Sequence, residues 1–335
     1  MTANGTIKQA LHAALNASFI VYDKSFLDII GTNSSFNLIA ERSDAFTVDC
    51  GAWAWDRGEI WFASGVEWEN ATAISILHLA DNTITTHSFA GDALRNPNGA
   101  YYYNRPVYFT TAGNETHAGG VVAIDPNPET KVVTTILNSY FGFRFSYIDD
   151  VAWVRRNGKD YMFLTDLGAP ALIGTLPALK DNPAPQLQNA VWRFDPQRQS
   201  IRPVISRADC ALPNGVRANA YGTKLYVTDS SYSGLSNAAN SSFGSGGIYE
   251  FDLNESVLPV QKSLFHFTRQ GLSNGIKVDD AGNVWTVAYD GIWCHDKEGV
   301  PLGVINESPL LTPGGGFPPQ NFAIAGDTLV IFAQL

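Results

Sequence analysis

Apolar residues recur along the chain in short runs cut off by Gly, Asn, Asp or Pro. Glu59-Ile60-Trp61-Phe62-Ala63, Tyr161-Met162-Phe163-Leu164-Thr165-Asp166, Lys224-Leu225-Tyr226-Val227-Thr228-Asp229 and Asn283-Val284-Trp285-Thr286-Val287 are examples. Their β-branched and aromatic content and their length predict strands. Turn pairs stand ahead of several of them: Arg57-Gly58, Asn157-Gly158, Tyr221-Gly222 and Ala281-Gly282. Helical spacing is confined to Ile7 to Ala17, where Leu11, Ala14 and Leu15 predict one short helix.

The strands repeat. One type ends in an acidic turn, at Ile74 to Asp81, Val121 to Pro126, Val191 to Pro196, Ile248 to Leu253 and Ile292 to Asp296. The acidic residues Asp81, Asp125, Asp195, Asp252 and Asp296 are spaced by 44, 70, 57 and 44 positions. A second element, a polar turn ahead of a strand, recurs out of phase at Pro97-Asn98-Gly99, Pro213-Asn214-Gly215 and Ser273-Asn274-Gly275. Units of about 45 residues and four strands have the size of a propeller blade. The fold class expected is therefore all-β, a six-bladed β-propeller forming one domain over residues 1–335. The segment 1–30, through Phe19-Ile20-Val21-Tyr22, is expected to complete the last blade. Insertions fall near 167–190 and 230–247, lengths that usually carry function.

Composition narrows the function classes. Hydrophobic residues make up 45% of the chain and charged residues 16%, which suits a large core. The net charge of −10 argues against a nucleic-acid partner. No apolar run is long enough for a membrane span. Cys50, Cys210 and Cys294 allow at most one internal bridge; a Cys50–Cys210 pair and free buried thiols are equal alternatives. Asn-X-Ser/Thr occurs at Asn4, Asn16, Asn33, Asn70, Asn114, Asn240, Asn254 and Asn306, against roughly three matches expected by chance. That density predicts N-glycosylation and a secretory-pathway or secreted protein. No leader is visible before a start that reads as a mature chain.

In a propeller, the residues that open each innermost strand face an axial funnel. Here these are Asp49, Asn98, Asp149, Asn214, Asn274 and Asn321. Asp and Asn are also ordinary turn formers, so any one of them alone carries little weight; Asp166 and Asp229 read as turn braces of that kind. The histidines show no ligand spacing, no Gly-x-Ser-x-Gly elbow is present, and Cys50 has no evident histidine partner. Trp53, Trp55, Trp68, Tyr147, Tyr232, Tyr289 and Phe317 are the aromatic residues expected near the funnel, where a subset would make an apolar ligand pocket.

Four segments resemble the gluconolactonase/senescence-marker-protein superfamily and, within it, the fungal lactonohydrolases. They are Asn138 to Gly142 followed by Asp149-Asp150-Val151; Leu212 to Val216 followed by Leu225 to Asp229; Ser273 to Ile276 with Asp279 and Gly282; and Gln320 to Gly326. Val21-Tyr22-Asp23 with Ile30-Gly31 also matches. The resemblance spans nearly the whole chain. It implies a propeller with one divalent cation, usually Ca²⁺, held in the funnel by a Glu, two Asn and an Asp. At those places this chain has Asp49, Asp149, Asn214 and Asn274, so three of the four differ while the formal charge is kept. Asp49 is one methylene shorter than Glu, and an amide at 274 cannot act as a base.

The altered cation set, the sequons and the aromatic funnel together resemble the glycosylated fungal hetero-Diels–Alderases of tropolone-sesquiterpenoid biosynthesis. That resemblance implies an enzyme of secondary metabolism joining a tropolone quinone methide to a humulene-type sesquiterpene by [4+2] cycloaddition. Positioning of two small apolar substrates would supply the rate and no cofactor would be needed. Asn98, Asn214, Asn274 and Tyr232 would donate to the quinone oxygen, and Asp49 or Asp149 would assist dehydration. Trp53, Trp68, Tyr147, Tyr289, Phe317 and Asn321 would complete the pocket. A calcium-dependent lactonase hydrolysing a small lactone is the alternative. A non-catalytic propeller that binds a small molecule is the second.

Overall fold

The computed structural model describes Ala14 and residues 17–42, 49–64, 73–89, 93–114, 116–127, 132–168, 186–231, 246–268, 271–306 and 317–334. Strand β1 (Phe19–Val21) and helix α1 (Ser25–Ile30) open the described chain. The first blade holds β2 (Ala52–Ala54), β3 (Glu59–Ser64), β4 (Ala73–His78) and β5 (Thr83–Ser88). The second holds β6 (Pro97–Tyr102), β7 (Val107–Gly113), β8 (Ala118–Ile124) and β9 (Val133–Leu137). A small hairpin, β10 (Ser139–Tyr140) with β11 (Phe143–Arg144), leads to the third blade: β12 (Ile148–Arg156), β13 (Lys159–Asp166), β14 (Ala190–Asp195) and β15 (Ser200–Ser206). The fourth is β16 (Pro213–Ala218), β17 (Lys224–Asp229), β18 (Gly247–Leu253) and β19 (Pro259–Phe267). The fifth is β20 (Ile276–Val278), β21 (Val284–Ala288), β22 (Gly291–His295) and β23 (Pro301–Asn306). The chain ends in a two-stranded sheet, β24 (Phe317–Ala325) with β25 (Thr328–Gln334).

The all-β propeller expected from the sequence is present, but its blade count is corrected from six to five. Neighbouring inner strands β2, β6, β12, β16 and β20 touch in order, and β24 closes the ring between β20 and β2. The β24–β25 sheet thus sits where a sixth blade would, with two strands among the described residues instead of four. The acidic-turn strand explains the count: it is the third strand of each complete blade, and it occurs five times. Its carboxylate accepts backbone N–H groups of the turn into the fourth strand. Asp81 Oδ1 takes Thr83 N–H, Asp125 Oδ1 takes Asn127 N–H, and Asp296 Oδ1 takes those of Glu298 and Val300. In the fourth blade Asn254, not Asp252, has this part.

The N-terminal segment joins the fifth blade. β1 pairs with β23, through Phe19 with Ile305 and Val21 with Gly303, as a fifth strand on the outer edge of the fifth blade, not on the β24–β25 sheet. Helix α1, which no sequence signal marked, follows it. It inserts the fully buried Phe26 against the backbone of Gly303, where any Cβ would lie 2.1 Å from the ring. Of the helix expected over Ile7 to Ala17, only Ala14 and Ala17 fall within the described residues; most of the insertions, 169–185 and 232–245, fall outside them.

The core lies between blades. Phe62 of the first blade meets Phe332 of β25 at 5.0 Å between ring centroids. Cys50 packs in the cluster of the first and second blades, Cys210 in that of the third and fourth, and all three cysteines are free buried thiols. Adjacent blades are also tied by a repeated threonine on the second strand. Thr110 Oγ1 donates to Asp149 O at 2.7 Å, Thr165 Oγ1 to Asn214 O at 2.5 Å and Thr228 Oγ1 to Asn274 O at 2.9 Å.

His295 is a core residue of the fifth blade, 1% exposed, with its ring 4.3 Å from that of His266. Burial first, and then His266, hold its pKa down at about 3. The folded state keeps this ring neutral while the unfolded chain protonates it near its ordinary 6.5. Its contribution to stability is therefore full above about pH 6.5 and is lost as the pH falls toward 3. Urea titrations over that window are expected to show the midpoint falling with acid, and less steeply in His295→Leu. Equal slopes in the two proteins would refute the assignment.

Candidate functional site

The inner strands deliver their polar residues through breaks in pairing. β6 loses register with β7 between Pro97 and Ala100, β12 with β13 between Ile148 and Val151, and β16 with β17 between Pro213 and Val216. Asn98-Gly99, Asp149-Asp150 and Asn214-Gly215 occupy those breaks, so their side chains are released from the ladder. The glycine of the repeated Asn-Gly is required by the next blade. A Cβ on Gly215 would lie 2.7 Å from Asn274 O. Asp166, which accepts the N–H groups of Ser146 and Tyr147 at 2.9 and 2.8 Å, holds the approach to β12; Asp229 does the same for Ala211 and Leu212 ahead of β16.

All six residues expected in the funnel stand at or just before the six inner strands. Asp49 lies three residues before β2 and Asn274 two before β20; the other four lie on β6, β12, β16 and β24. Two hydrogen bonds link members of the set, and a third ties Asn274 to the neighbour of Asn321. Asn98 Nδ2 donates to Asp149 Oδ1 at 2.7 Å, Asn321 Nδ2 to Asp49 Oδ1 at 2.8 Å, and Asn274 Nδ2 to Gln320 Oε1 at 2.7 Å. Cys50 N–H adds a second bond to Asp49 Oδ1, at 2.6 Å. Among the described residues, Oδ2 of Asp49 and of Asp149, Oδ1 of Asn274 and the Asn214 side chain have no hydrogen-bond partner.

Electrostatics makes the two carboxylates unequal to ordinary ones. Burial holds the Asp149 pKa well above the usual range, and the charges of Asp49 and Asp150 add to this. Burial also raises that of Asp49, against the bonds from Asn321 and Cys50. Tyr147, fully within the site, has its hydroxyl pKa pushed up by burial and then by Asp149 and Asp49, so it stays a neutral phenol.

Two cations that sequence reading missed sit below. Arg217, on β16, donates to Asp150 Oδ2 at 2.8 Å and to the carbonyls of Val151, Val216 and Ala100 at 2.8, 2.6 and 3.3 Å. It joins inner strands of three blades. Lys277, on β20, donates to Asn321 Oδ1 at 2.9 Å. Burial first and then repulsion from Arg217 lower its pKa to about 7, opposed by Asp150 and Asp49. The signal available was a basic residue inside an apolar inner strand, in Val216-Arg217-Ala218 and Ile276-Lys277-Val278.

The aromatic residues divide. Tyr147 joins the carboxylates. Trp53 packs half-buried against the core of the first two blades. Tyr289 is half-buried with its ring against Gly271. Trp55 is 70% exposed on the turn that leaves β2, at the opposite end of that strand from Asp49. Trp68 and Tyr232 lie outside the described residues, as does the side chain of Phe317.

Among the described residues no three His, Cys, Asp or Glu side chains gather as a metal cluster. The funnel instead combines two carboxylates with two amides. Their free oxygens are hard donors of the kind Ca²⁺ takes, so the set fits such a cation in kind. No helix of the described residues is long and apolar enough to cross a membrane.

No protein-family model matches the chain. Among curated proteins it is similar to lactonohydrolase oryH of Aspergillus oryzae, 23% identical over 85% of this chain and 73% of that protein. It is also similar to lactonohydrolase oryL of the same fungus (26%, over 61% of this chain and 48% of oryL) and to a gluconolactonase of Zymomonas mobilis (27%, over 62% and 54%). The chain thus spans about half the length of the last two. Among solved structures, a gluconolactonase from Xanthomonas campestris superposes with a TM-score of 0.73 at 16% identity, over 95% of this chain and 92% of that one. A calcium-binding regucalcin from Agrobacterium tumefaciens gives 0.57 at 13% identity, over 87% and 83%. The fold is a β-propeller like that of these solved gluconolactonase structures, and in sequence and fold the chain is similar to the gluconolactonase-like superfamily.

Proposed function

We propose that the protein hydrolyses a lactone at the head of its inner strands. The observation that carries this is the pair Asp49 and Asp149. Each has one carboxylate oxygen pinned by an amide and the other free, in a buried setting where like charges oppose double ionisation. One then serves as base and the other as acid. Asp149, whose pKa is raised by burial and by the charges of both Asp49 and Asp150, is the acid. Asp49 Oδ2 takes a proton from water as its oxygen adds to the lactone carbonyl carbon. The Asn214 amide, which has no partner among the described residues, donates to the oxyanion. The ring C–O bond then breaks and Asp149 returns a proton to the alkoxide, leaving the hydroxy acid. With Ca²⁺ bound, the oxygens of Asp49, Asp149, Asn214 and Asn274 would instead hold the ion, which would polarise the lactone carbonyl.

The relatives named as lactonohydrolases and a gluconolactonase favour hydrolysis over the cycloaddition expected from the sequence. One observation keeps the [4+2] reaction as the second reading: Tyr147 and the funnel amides are neutral donors, suited to a quinone oxygen. The test is proton release from glucono-δ-lactone and from an aliphatic γ-lactone, with and without a chelator. Hydrolysis above the uncatalysed rate is expected. Inertness toward both lactones, with acceleration of quinone methide addition to humulene, would replace this reading by the second.

We propose also that the folded chain is a glycoprotein of the secretory pathway modified at Asn33, Asn114 and Asn254. Asn33 and Asn254 are exposed. At Asn114 and Asn254 the side-chain oxygen accepts Thr116 and His117 N–H in one and Ser256 and Leu258 N–H in the other, and Nδ2 has no hydrogen-bond partner among the described residues. Asn306 is 5% exposed and spends its Nδ2 on Ala17 O at 2.8 Å, which leaves no room for a glycan. Asn4, Asn16, Asn70 and Asn240 lie outside the described residues. Glycopeptide mass spectrometry after expression in a eukaryotic secretory host is expected to find sugar at Asn114 and Asn254 and none at Asn306. Sugar on Asn306 would overturn the assignment.

A further inference from the structure

We propose that Lys277 is a positioning residue that fixes the reacting oxygen of Asp49 through the Asn321 amide. This rests on the hydrolytic reading of Asp49 given above. Asn321 bridges the two groups with opposite ends of one amide. Its Oδ1 accepts from Lys277 Nζ at 2.9 Å and from Phe322 N–H at 2.9 Å; its Nδ2 donates to Asp49 Oδ1 at 2.8 Å.

The direction of that amide is determined by chemistry. An ammonium has donors and no acceptor, and an ionised carboxylate has acceptors and no donor. With Lys277 on one side and Asp49 on the other, only one of the two flips makes both bonds. The reversed amide would set NH₂ against NH₃⁺ and oxygen against oxygen. Gly275 makes the arrangement sterically tight, since a Cβ there would lie 2.6 Å from Asn321 Oδ1 and 2.7 Å from its Cγ. The Lys277 ammonium also stands 5.6 Å above the Phe322 ring, on the residue next to Asn321.

The consequence falls on Asp49. Its Oδ1 is held by Asn321 Nδ2 and by Cys50 N–H, so Oδ2 is the oxygen left to meet a ligand. Cys50 supplies a rigid backbone donor, whereas Asn321 is a side chain whose orientation has to be imposed. Lys277 imposes it from the neighbouring blade together with the Phe322 N–H, without touching the carboxylate. Asn321, expected from the sequence to bind substrate, is spent on this bridge at both ends.

Two measurements test this. With protein labelled by ¹⁵N-asparagine, the Asn321 side-chain amide pair is identified by its absence in Asn321→Ala. In the wild type it should exchange slowly with water, and in Lys277→Met about tenfold or more faster. If Lys277→Met does not fold, Lys277→Gln, which keeps a shorter donor, serves the same comparison with a smaller acceleration expected. Unchanged exchange in whichever variant folds overturns the proposal, whether or not any lactone is hydrolysed. The second measurement is a double-mutant cycle on kcat for glucono-δ-lactone. Lys277→Met and Asn321→Ala should each lower kcat by about 10–100-fold with KM little changed, the scale of a misplaced reacting group. Together they should be no worse than the more damaging single change, because they break one chain of contacts. Multiplying losses would mean that Lys277 acts independently of Asn321, and would overturn the proposal. If exchange behaves as expected but the wild type turns over no lactone, the hydrolytic reading alone fails.

Discussion

Replacing Arg217 by Met is expected to destabilise the fold by about 3–5 kcal/mol, the cost of leaving one member of a buried ion pair behind. Arg217 and Asp150 are 6% and 4% exposed at their side chains and 2.8 Å apart. Met fills the space of the aliphatic stem but supplies no donor. Asp150 Oδ2 would keep only the Val216 N–H bond at 3.1 Å, and the carbonyls of Ala100, Val151 and Val216 would each lose a partner. The guanidinium also lies 5.1 Å above the Tyr101 ring. Urea unfolding followed by tryptophan fluorescence gives the number. Adding Asp150→Asn to Arg217→Met should restore part of the loss, since the stranded charge is then gone. A loss below about 1 kcal/mol for Arg217→Met would show that the centre of the ring does not depend on this pair.

Replacing Asp49 by Asn is expected to lower lactone turnover by about 10²–10⁴-fold, the usual contribution of a general base. The fold should tolerate the change. An Asn at 49 keeps a side-chain oxygen to accept from Asn321 Nδ2 and Cys50 N–H, the two bonds that position the native carboxylate. It loses the ability to take a proton from water. Stopped-flow proton release, with thermal unfolding as the control for folding, separates the two effects. Turnover within threefold of the wild type would remove Asp49 from the chemistry, a loss too small for a missing base.

The repeat was legible in the sequence because its chemistry is local. An acidic residue ends each third strand, and it, or in the fourth blade Asn254 just beyond it, accepts N–H groups two to four residues on, a pattern that can be counted in a string of letters. Counted so, it occurs five times, which matches the five complete blades. The expectation of six came from dividing the length by a blade, and length does not say that the last unit has two strands among the described residues. The heads of the inner strands were legible for a similar reason. Asn-Gly recurs because the amide enters the well while the next blade presses on the glycine, at Gly215 against Asn274 O and at Gly275 against Asn321.

Other features were hidden. Helix α1 is six residues with no side-chain cap of its own and is held by Phe26 seated on Gly303, a contact across 277 positions of sequence. The five-strand edge of the fifth blade depends on β1 reaching β23 from the other end of the chain. Trp53 and Trp55, read as funnel candidates, are placed by the strand itself, one packed on the core and one in the turn beyond it.

The strands, their acidic turns and the six polar residues at or near the heads of the inner strands follow from local order, because each depends on neighbours a few residues away. The pairing of four of those six, the oxygens left free, and the presence of Arg217 and Lys277 among them come from the folded ring. Long cationic side chains find their partners across blades, at separations such as the 67 positions between Asp150 and Arg217 and the 44 between Lys277 and Asn321. Closure of the ring brings those partners within hydrogen-bonding distance, and no local pattern records it.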